Sequence, residues 1–297
     1  MTDLEIEALL QKTMGLKVAS IGKAALNRSI QRRMKALSID DKAAYCKKLK
    51  SSNLELKELI EEVVIPETWF FRDPKTFQAM SQYLKTQWSP KHKNSFLKVL
   101  SVPCSTGEEP YSLTMSLLSS GWPAEKFAVH AVDISSRSIA QAKEGLYSEH
   151  SFRDSDLAYR TLYFQKSPRY YTLNKNIRDK VHFHTGNILN RAFLCGLGQF
   201  DIIFFRNVLI YFDTHSRHQA LVTLDQILAN DGILFVGHAE TNLFSNSPFI
   251  PAPFTQAYAF LKKSKLQLNA EARNSSPSEP AAKFAKNSYT LKCKQPT

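Results

Sequence analysis

Apolar residues recur along the chain with two different periods. In the first part, Leu26, Ile30, Met34 and Leu37 fall at helical spacing and share one face. Arg28, Arg32 and Lys35 lie roughly opposite, so this helix is expected to bury one side and show a basic stripe on the other. Further on, short apolar runs replace that rhythm: Phe96–Val102, Phe127–Val132, Val181–His184, Phe200–Phe205, Ile233–Gly237 and Ala257–Leu261. Between several of them stand helix-like stretches at Pro110–Ser119, Ser136–Glu144 and Thr214–Ala229. Strands alternating with helices predict a mainly parallel α/β sheet. One segment, residues 146–180, breaks the alternation; its short aromatic, turn-flanked piece SPRYYTLNKNIRDK suits a small antiparallel insertion. The pattern therefore predicts a helical N-terminal domain and linker over residues 1–75 and an α/β domain over 76–263. The Ser/Pro/Lys/Asn-rich residues 264–297 are expected to be a disordered tail.

Composition narrows this picture only modestly. The 297 residues suffice for one large or two modest domains. They contain no apolar run of about 18 or more, so a membrane span is not expected. The start, MTDLEIEALLQKTMG, lacks a basic-then-apolar leader pattern, which makes the cytoplasm the expected location. Cys46, Cys104, Cys195 and Cys293 show no paired ligand spacing, so neither a disulfide framework nor a structural zinc site is expected. The formal net charge of +12 implies an acidic partner without saying which: nucleic acid, anionic lipid or an acidic protein surface.

Candidate chemistry lies at the carboxyl ends of the predicted strands, where α/β folds bind ligands. In LKVLSVPCSTGEEPYS, a strand ends at Val102, a loop contains Gly107, and a helix begins near Pro110. Gly107 is expected to let the backbone approach a ligand. Glu108 and Glu109 would repel a pyrophosphate and suit a ligand with positive charge, such as a sulfonium or an α-ammonium; helix N-terminal acids alone are the plainer explanation. Asp133 ends the next strand, about 25 residues on, where an acid can accept hydrogen bonds from both hydroxyls of an adenosine ribose. Ser135 or Ser136 can cap the following helix and leave Asp133 free. Asn187 follows a strand and can meet an adenine edge or serve a turn. FDIIFFRNVLIYFD runs a buried strand into Arg206–Asn207 and places Tyr211 at the same edge. Thr68 and Arg72, four apart in IPETWFFRDPKTF, share a helical face beside the anchors Trp69, Phe70 and Phe71.

Together TWFFRDP, CSTGEEPYS, AVDIS with AKEGLYS, FDIIFFRNVLIYFD and LFVGHAET resemble the chemotaxis receptor glutamate O-methyltransferase (CheR) family, over about residues 5–262. The resemblance implies a class I S-adenosylmethionine-dependent methyltransferase (Rossmann-like) domain with a small antiparallel β-subdomain inserted, preceded by an all-helical domain. Residue by residue, it implies cofactor contacts at Thr68, Arg72, Glu109, Asp133, Asn187, Ile188, Asn207 and Val208, with the neighbouring Glu108 kept in the set. Arg72 and Tyr211 would line the point of methyl transfer. Arg28, Arg32, Arg33 and Lys35 would face the methylation helices of a chemotaxis receptor. The implied cofactor is S-adenosylmethionine, the product S-adenosylhomocysteine, and no metal. The implied enzyme is a cytoplasmic monomer acting on the receptor's helical domain, without nucleic acid. Two features depart from the family: Pro66 stands where members usually carry Asn, and FQKSPRYY lacks the glycines of members that dock a receptor pentapeptide. Pentapeptide docking is therefore not expected. The alternatives are a nucleic-acid methyltransferase on the same fold and a non-catalytic, cofactor-binding signalling protein.

Overall fold

The computed structural model describes residues 3–153, 156–245 and 247–263, so the tail beyond 263 lies outside the described residues. Five helices come first: α1 (Asp3–Met14), α2 (Val18–Ile21), α3 (Lys23–Ala36), α4 (Lys42–Ser51) and α5 (Asn53–Val63). Their boundaries follow from local chemistry. Asp41 accepts from the backbone N–H groups of Ala43 and Ala44 at the head of α4, and the Ser52 hydroxyl accepts from Glu55 at the head of α5. Ile6, Leu10, Leu26, Ile30, Leu49 and Leu59 form their shared core. The predicted apolar stripe of α3 is thus the buried one, and Arg28, Arg32 and Lys35 are exposed.

Arg33 is a correction to the expected docking set. It lies seven residues after Leu26, which at 3.6 residues per turn puts it only about 20° from the buried stripe. Its side chain is 14% exposed and grips Glu55 through Nε (3.0 Å) and Nη2 (2.7 Å), while Nη1 reaches Glu58 at 3.4 Å. Tyr45 donates to the same Glu55 at 2.9 Å. Arg33 therefore ties α3 to α5 and is not available to a partner.

The second part is built on a seven-stranded sheet in the order β6-β2-β1-β7-β8-β10-β9. β1 (Leu97–Ser101), β2 (Phe127–Asp133), β6 (Val181–Thr185), β7 (Phe200–Phe205) and β8 (Leu228–Val236) run parallel; β10 (Ala259–Lys262) pairs antiparallel with β8, and β9 (Phe249–Pro251) antiparallel with β10. Both faces are covered, which explains the near-continuous apolar runs of the central strands. On one face lie α6 (Pro74–Tyr83) and α8 (Glu108–Ser119), with the short α7 (Ser89–Lys91) between them in the chain; further helices are α9 (Ser136–Glu144), α10 (Ala158–Tyr163), α11 (Lys175–Arg178), α12 (Arg191–Gly196) and α13 (Thr214–Ile227). β3 (Leu146–Tyr147), β4 (Phe164–Lys166) and β5 (Tyr171–Leu173) form the small antiparallel insertion, in the order β3-β5-β4. β9 escapes a sequence reading because it is three residues long and set among prolines, which suit only an edge.

The helical part is tied to the sheet at its carboxyl edge. Lys17 N donates to Tyr211 O (2.8 Å) and Asp213 N to Gly15 O (3.1 Å). Gly15 has φ 73°, and a Cβ there would come within 2.8 Å of Ser216 Cβ and 2.9 Å of Leu189, so this crossing requires glycine. Glu61 of α5 caps α9, accepting from Ser136 N (2.6 Å), Ser136 Oγ (2.7 Å) and the Ser135 hydroxyl. Burial works to raise the Glu61 carboxyl, but these hydrogen bonds and one from Arg137 N hold it below the ordinary value.

Candidate functional site

The two parts enclose a cavity of about 400 Å³ over the carboxyl ends of β1, β2, β6 and β7. The sheet supplies its floor and the helical part its roof, with Met14, Leu16, Ser20, Ile21 and Val63–Ile65 lining the upper side. Of the residues expected at the site, Thr68, Arg72, Glu109, Asp133, Asn187, Ile188, Asn207, Val208 and Tyr211 all line this one cavity.

Asp133 is only 4% exposed. Each carboxylate oxygen accepts one backbone N–H, Oδ2 from Ser105 (2.8 Å) and Oδ1 from Ser135 (2.9 Å). Burial pushes its carboxyl above the usual value, and the backbone N–H groups of Ser135, Ser105 and Ile134 only partly offset this. Ser135 is the cap of α9, accepting from Ser138 N, so Asp133 is spared that task. A buried carboxylate with acceptor positions left over, facing a cavity, fits the hydroxyl pair of a ribose. The apolar Val102, Val132, Ile134 and Ile188 beside it fit a flat base.

Glu109 is held in place, its Oε1 accepting from Ser101 Oγ (2.8 Å) and its Oε2 from Arg206 Nη1 (2.9 Å). Arg206, whose side chain is 1% exposed, also pairs with Asp73. It thereby joins the end of β7 to the first turns of α6 and α8. Glu108 does not line the cavity. Its carboxylate turns toward the insertion, accepting from Thr106 Oγ1 (2.7 Å) and Ser151 Oγ (2.9 Å), and burial raises its carboxyl. A helix turn of 100° separates the two neighbours, so only one can face the cavity. Gly107 is also not at the lining. Its φ of 95° and the 2.8 Å and 3.0 Å approaches of Ala142 Cβ and the Tyr147 hydroxyl to a would-be Cβ explain the glycine by chain packing.

Asn187 reaches the cavity wall, but its amide serves the protein: Nδ2 donates to Thr13 O and Oδ1 accepts from Leu189 N (2.9 Å). Asn207 has φ 60°, a left-handed conformation that Asn tolerates better than most residues. Its loop is fixed by a residue the sequence reading left without a role. Glu240, fully buried, accepts from Gly237 N (2.7 Å), Asn207 N (2.8 Å), Val208 N (2.7 Å) and Leu209 N (2.7 Å). Arg206 likewise stands at the end of its strand in the sequence reading without a role. The available signals were a charge directly following a buried strand in FFRN and an acid following another in VGHAE.

Arg72 Nη1 donates to Glu67 O (3.1 Å), and its guanidinium lies 4.4 Å from the centre of the Trp69 ring. Cys104 also lines the cavity, but burial drives its thiol well above the ordinary range, so it stays a neutral wall residue.

Residues 66–257 match the family described as CheR methyltransferase, SAM (S-adenosylmethionine) binding domain, and residues 5–64 match CheR methyltransferase, all-alpha domain. The chain is 37% identical over 267 residues to a protein of Pseudomonas aeruginosa named probable biofilm formation methyltransferase WspC, covering 90% of this chain and 63% of that one. A counterpart in Pseudomonas putida is 36% identical, covering 85% and 60%. The chain thus spans somewhat under two thirds of the length of these relatives. Chemotaxis protein methyltransferase 2 of Vibrio cholerae is 31% identical, covering 73% of this chain and 77% of its own. Among the described residues no helix is long and apolar enough to cross a membrane. Both halves of the chain, the helical roof and the sheet with its cavity, belong to the CheR methyltransferase family.

Proposed function

We propose that this protein uses S-adenosylmethionine to methylate glutamate carboxylates on the cytoplasmic helices of chemotaxis-type receptors. The observation that carries the proposal is the gathering of Asp133, Glu109, Arg72, Asn207 and Tyr211 around one roofed cavity. When bound, S-adenosylmethionine supplies a methyl group on a cationic sulfur; the carboxylate oxygen forms the new bond to carbon and the sulfur keeps the electron pair of the old one.

The residues have separable tasks. Asp133 holds the ribose hydroxyls, and the apolar wall around Ile134 and Ile188 holds the base. Glu109, anchored by Arg206 and Ser101, offers negative charge toward the cationic end of the cofactor. A glutamate is already an anion at neutral pH, with an ordinary pKa of about 4.3, so no general base is needed. The chain's work is to align the reacting atoms, which can account for about 7–11 kcal/mol of a barrier. Arg72 retains free N–H donors to orient the incoming carboxylate. Tyr211 is positioned by the backbone bonds at Val208 O and Lys17 N, and its hydroxyl can add one hydrogen bond. The roof from α1, α2 and α5 limits water around the carboxylate and so strengthens these contacts.

The test is transfer of radiolabelled methyl from S-adenosylmethionine to receptor-enriched membranes of the source organism, with Asp133→Ala as control. Base-labile label on a receptor band, absent with the variant, is expected. Label on RNA and none on protein would overturn the proposal in favour of nucleic-acid methylation. Tight cofactor binding without transfer to either would favour a sensor.

A further inference from the structure

Beside the cavity, two guanidinium groups share one indole. Arg72 lies 4.4 Å and Arg153 4.6 Å from the centre of the Trp69 ring. Trp69 and Arg72 line the cavity, whereas Arg153 is exposed and lies outside the lining. Each guanidinium makes one hydrogen bond to a backbone oxygen, Arg72 to Glu67 O at 3.1 Å and Arg153 Nε to His150 O at 3.2 Å. Among the described residues neither forms an ion pair. The acid that acts on Arg153 among the described residues is the buried Glu108, whose own hydrogen bonds go to Thr106 and Ser151, so the outer edges of both guanidiniums remain open to an incoming carboxylate.

The placement is not a loose surface accident. The preceding residues of the two segments are locked together: Phe70 N donates to Ser151 O (2.9 Å), and the buried Phe70 ring stacks on Phe152 at 5.2 Å. Trp69 and Arg153 are the immediate chain neighbours of that locked pair. The indole also lowers the cost of holding a guanidinium still, because a planar cation over a ring gains about 0.5–1 kcal/mol even when exposed. By contrast, Arg160, the next arginine of the insertion, is already paired with Glu149 at 2.5 Å.

Resting on the receptor-glutamate reading above, we propose that Arg153 binds a second acidic side chain on the substrate helix, about one turn from the carboxylate that Arg72 orients. Residues three or four apart on a helix stand about 5–6 Å apart at Cβ, a span that long side chains can match to two guanidiniums held 4.4 Å and 4.6 Å from one ring centre. The substrate class is therefore an acidic helix with a carboxylate pair at i and i+3 or i+4. Arg153 acts as a specificity residue, and the chemistry stays with the cavity.

The test uses three soluble helical peptides with one target Glu: one with Glu four residues on, one with Gln there, and one with Lys there. Methyl transfer is measured alongside binding to the protein loaded with S-adenosylhomocysteine. The wild-type protein is expected to favour the diacid peptide over the Gln peptide in kcat/KM by about fivefold or more, through KM. Arg153→Ala should collapse that ratio toward one, Arg153→Lys should lower it partly, and Arg153→Glu should shift preference to the Lys peptide. Methylation with a preference that ignores residue 153 overturns this inference and leaves the proposed function standing. Binding that discriminates through Arg153 without any methyl transfer does the reverse. Neither binding nor transfer overturns both.

Discussion

The two sides of the cavity use a buried carboxylate in opposite ways. On the β2 side, Asp133 takes one N–H on each oxygen; on the β8 side, Glu240 takes two on each. A carboxylate offers about four acceptor positions. Glu240 is therefore saturated by its own chain, and Asp133 is not. Asp133 lines the cavity and Glu240 does not. The difference teaches how to tell a structural charge from a ligand-binding one: count what the chain leaves unsatisfied. Glu240 shapes the loop that presents Asn207 and Tyr211, while Asp133 presents itself.

The largest effect should come from emptying the saturated side. Glu240→Ala leaves four backbone N–H groups without their acceptor, at about 1–3 kcal/mol each where no water replaces it. A loss of about 4 kcal/mol of stability is expected, measured as a fall in the denaturant midpoint. Methyl transfer should fall further than the folded fraction does, because Asn207 loses the support for its left-handed φ of 60°. Glu240→Gln should lie between, since its amide nitrogen would face donors. A variant that unfolds normally but still binds cofactor and turns over as before would break the comparison.

Asp133→Ala should shift the balance, costing less stability than Glu240→Ala because fewer backbone N–H groups lose their acceptor, and much more affinity. Two hydrogen bonds to a charged acceptor contribute about 1.5–3 kcal/mol each, so a loss of about 100-fold or more in cofactor affinity is expected by calorimetry. The pH dependence sharpens the point. Burial places the Asp133 pKa above the ordinary value of about 3.9, so its charged form is lost at a higher pH than that of a free aspartate. As an acceptor it is needed ionised. Affinity should therefore be flat above that raised pKa and decline as pH falls through it, and the decline should be absent in Asp133→Ala.

Much of this was legible in the chain. Strand positions could be read because parallel strands buried on both faces are apolar throughout, and residues 200–205 and 127–133 stand out on that ground alone. Asp133 could be read because a neighbouring Ser took over the capping task. Arg206 and Glu240 could not, because their roles consist of partners far away in sequence, 97 residues from Arg206 to Glu109 and 33 from Glu240 to Asn207. Glu108 and Glu109 look equivalent in sequence, and only the direction of the first turn of α8 separates them. The roof is the least legible part: nothing local in the sequence says that Leu16 and Ile21 face a cavity.

The same accounting applies to the cations of α3 and yields the smallest expected effect. Arg33 has three bonds to two acids of its own domain and is nearly buried. Arg32 is 63% exposed and meets Glu62 at 3.2 Å, a pair worth little in water. Arg28 and Lys35 are exposed with no ion pair among the described residues. If the exposed face steers an acidic receptor helix, Arg28→Ala combined with Lys35→Ala should lower kcat/KM for receptor methylation about three- to tenfold at low ionic strength, without a change in melting temperature. The deficit should shrink as salt is raised, since at about 0.15 M the screening length is about 8 Å. Arg33→Ala should show the opposite signature, a lower melting temperature and a rate defect that salt does not relieve. Should the double variant match the wild type at every salt concentration, the steering role would pass from α3 to the rim around Trp69, where Arg72 and Arg153 form no ion pair among the described residues.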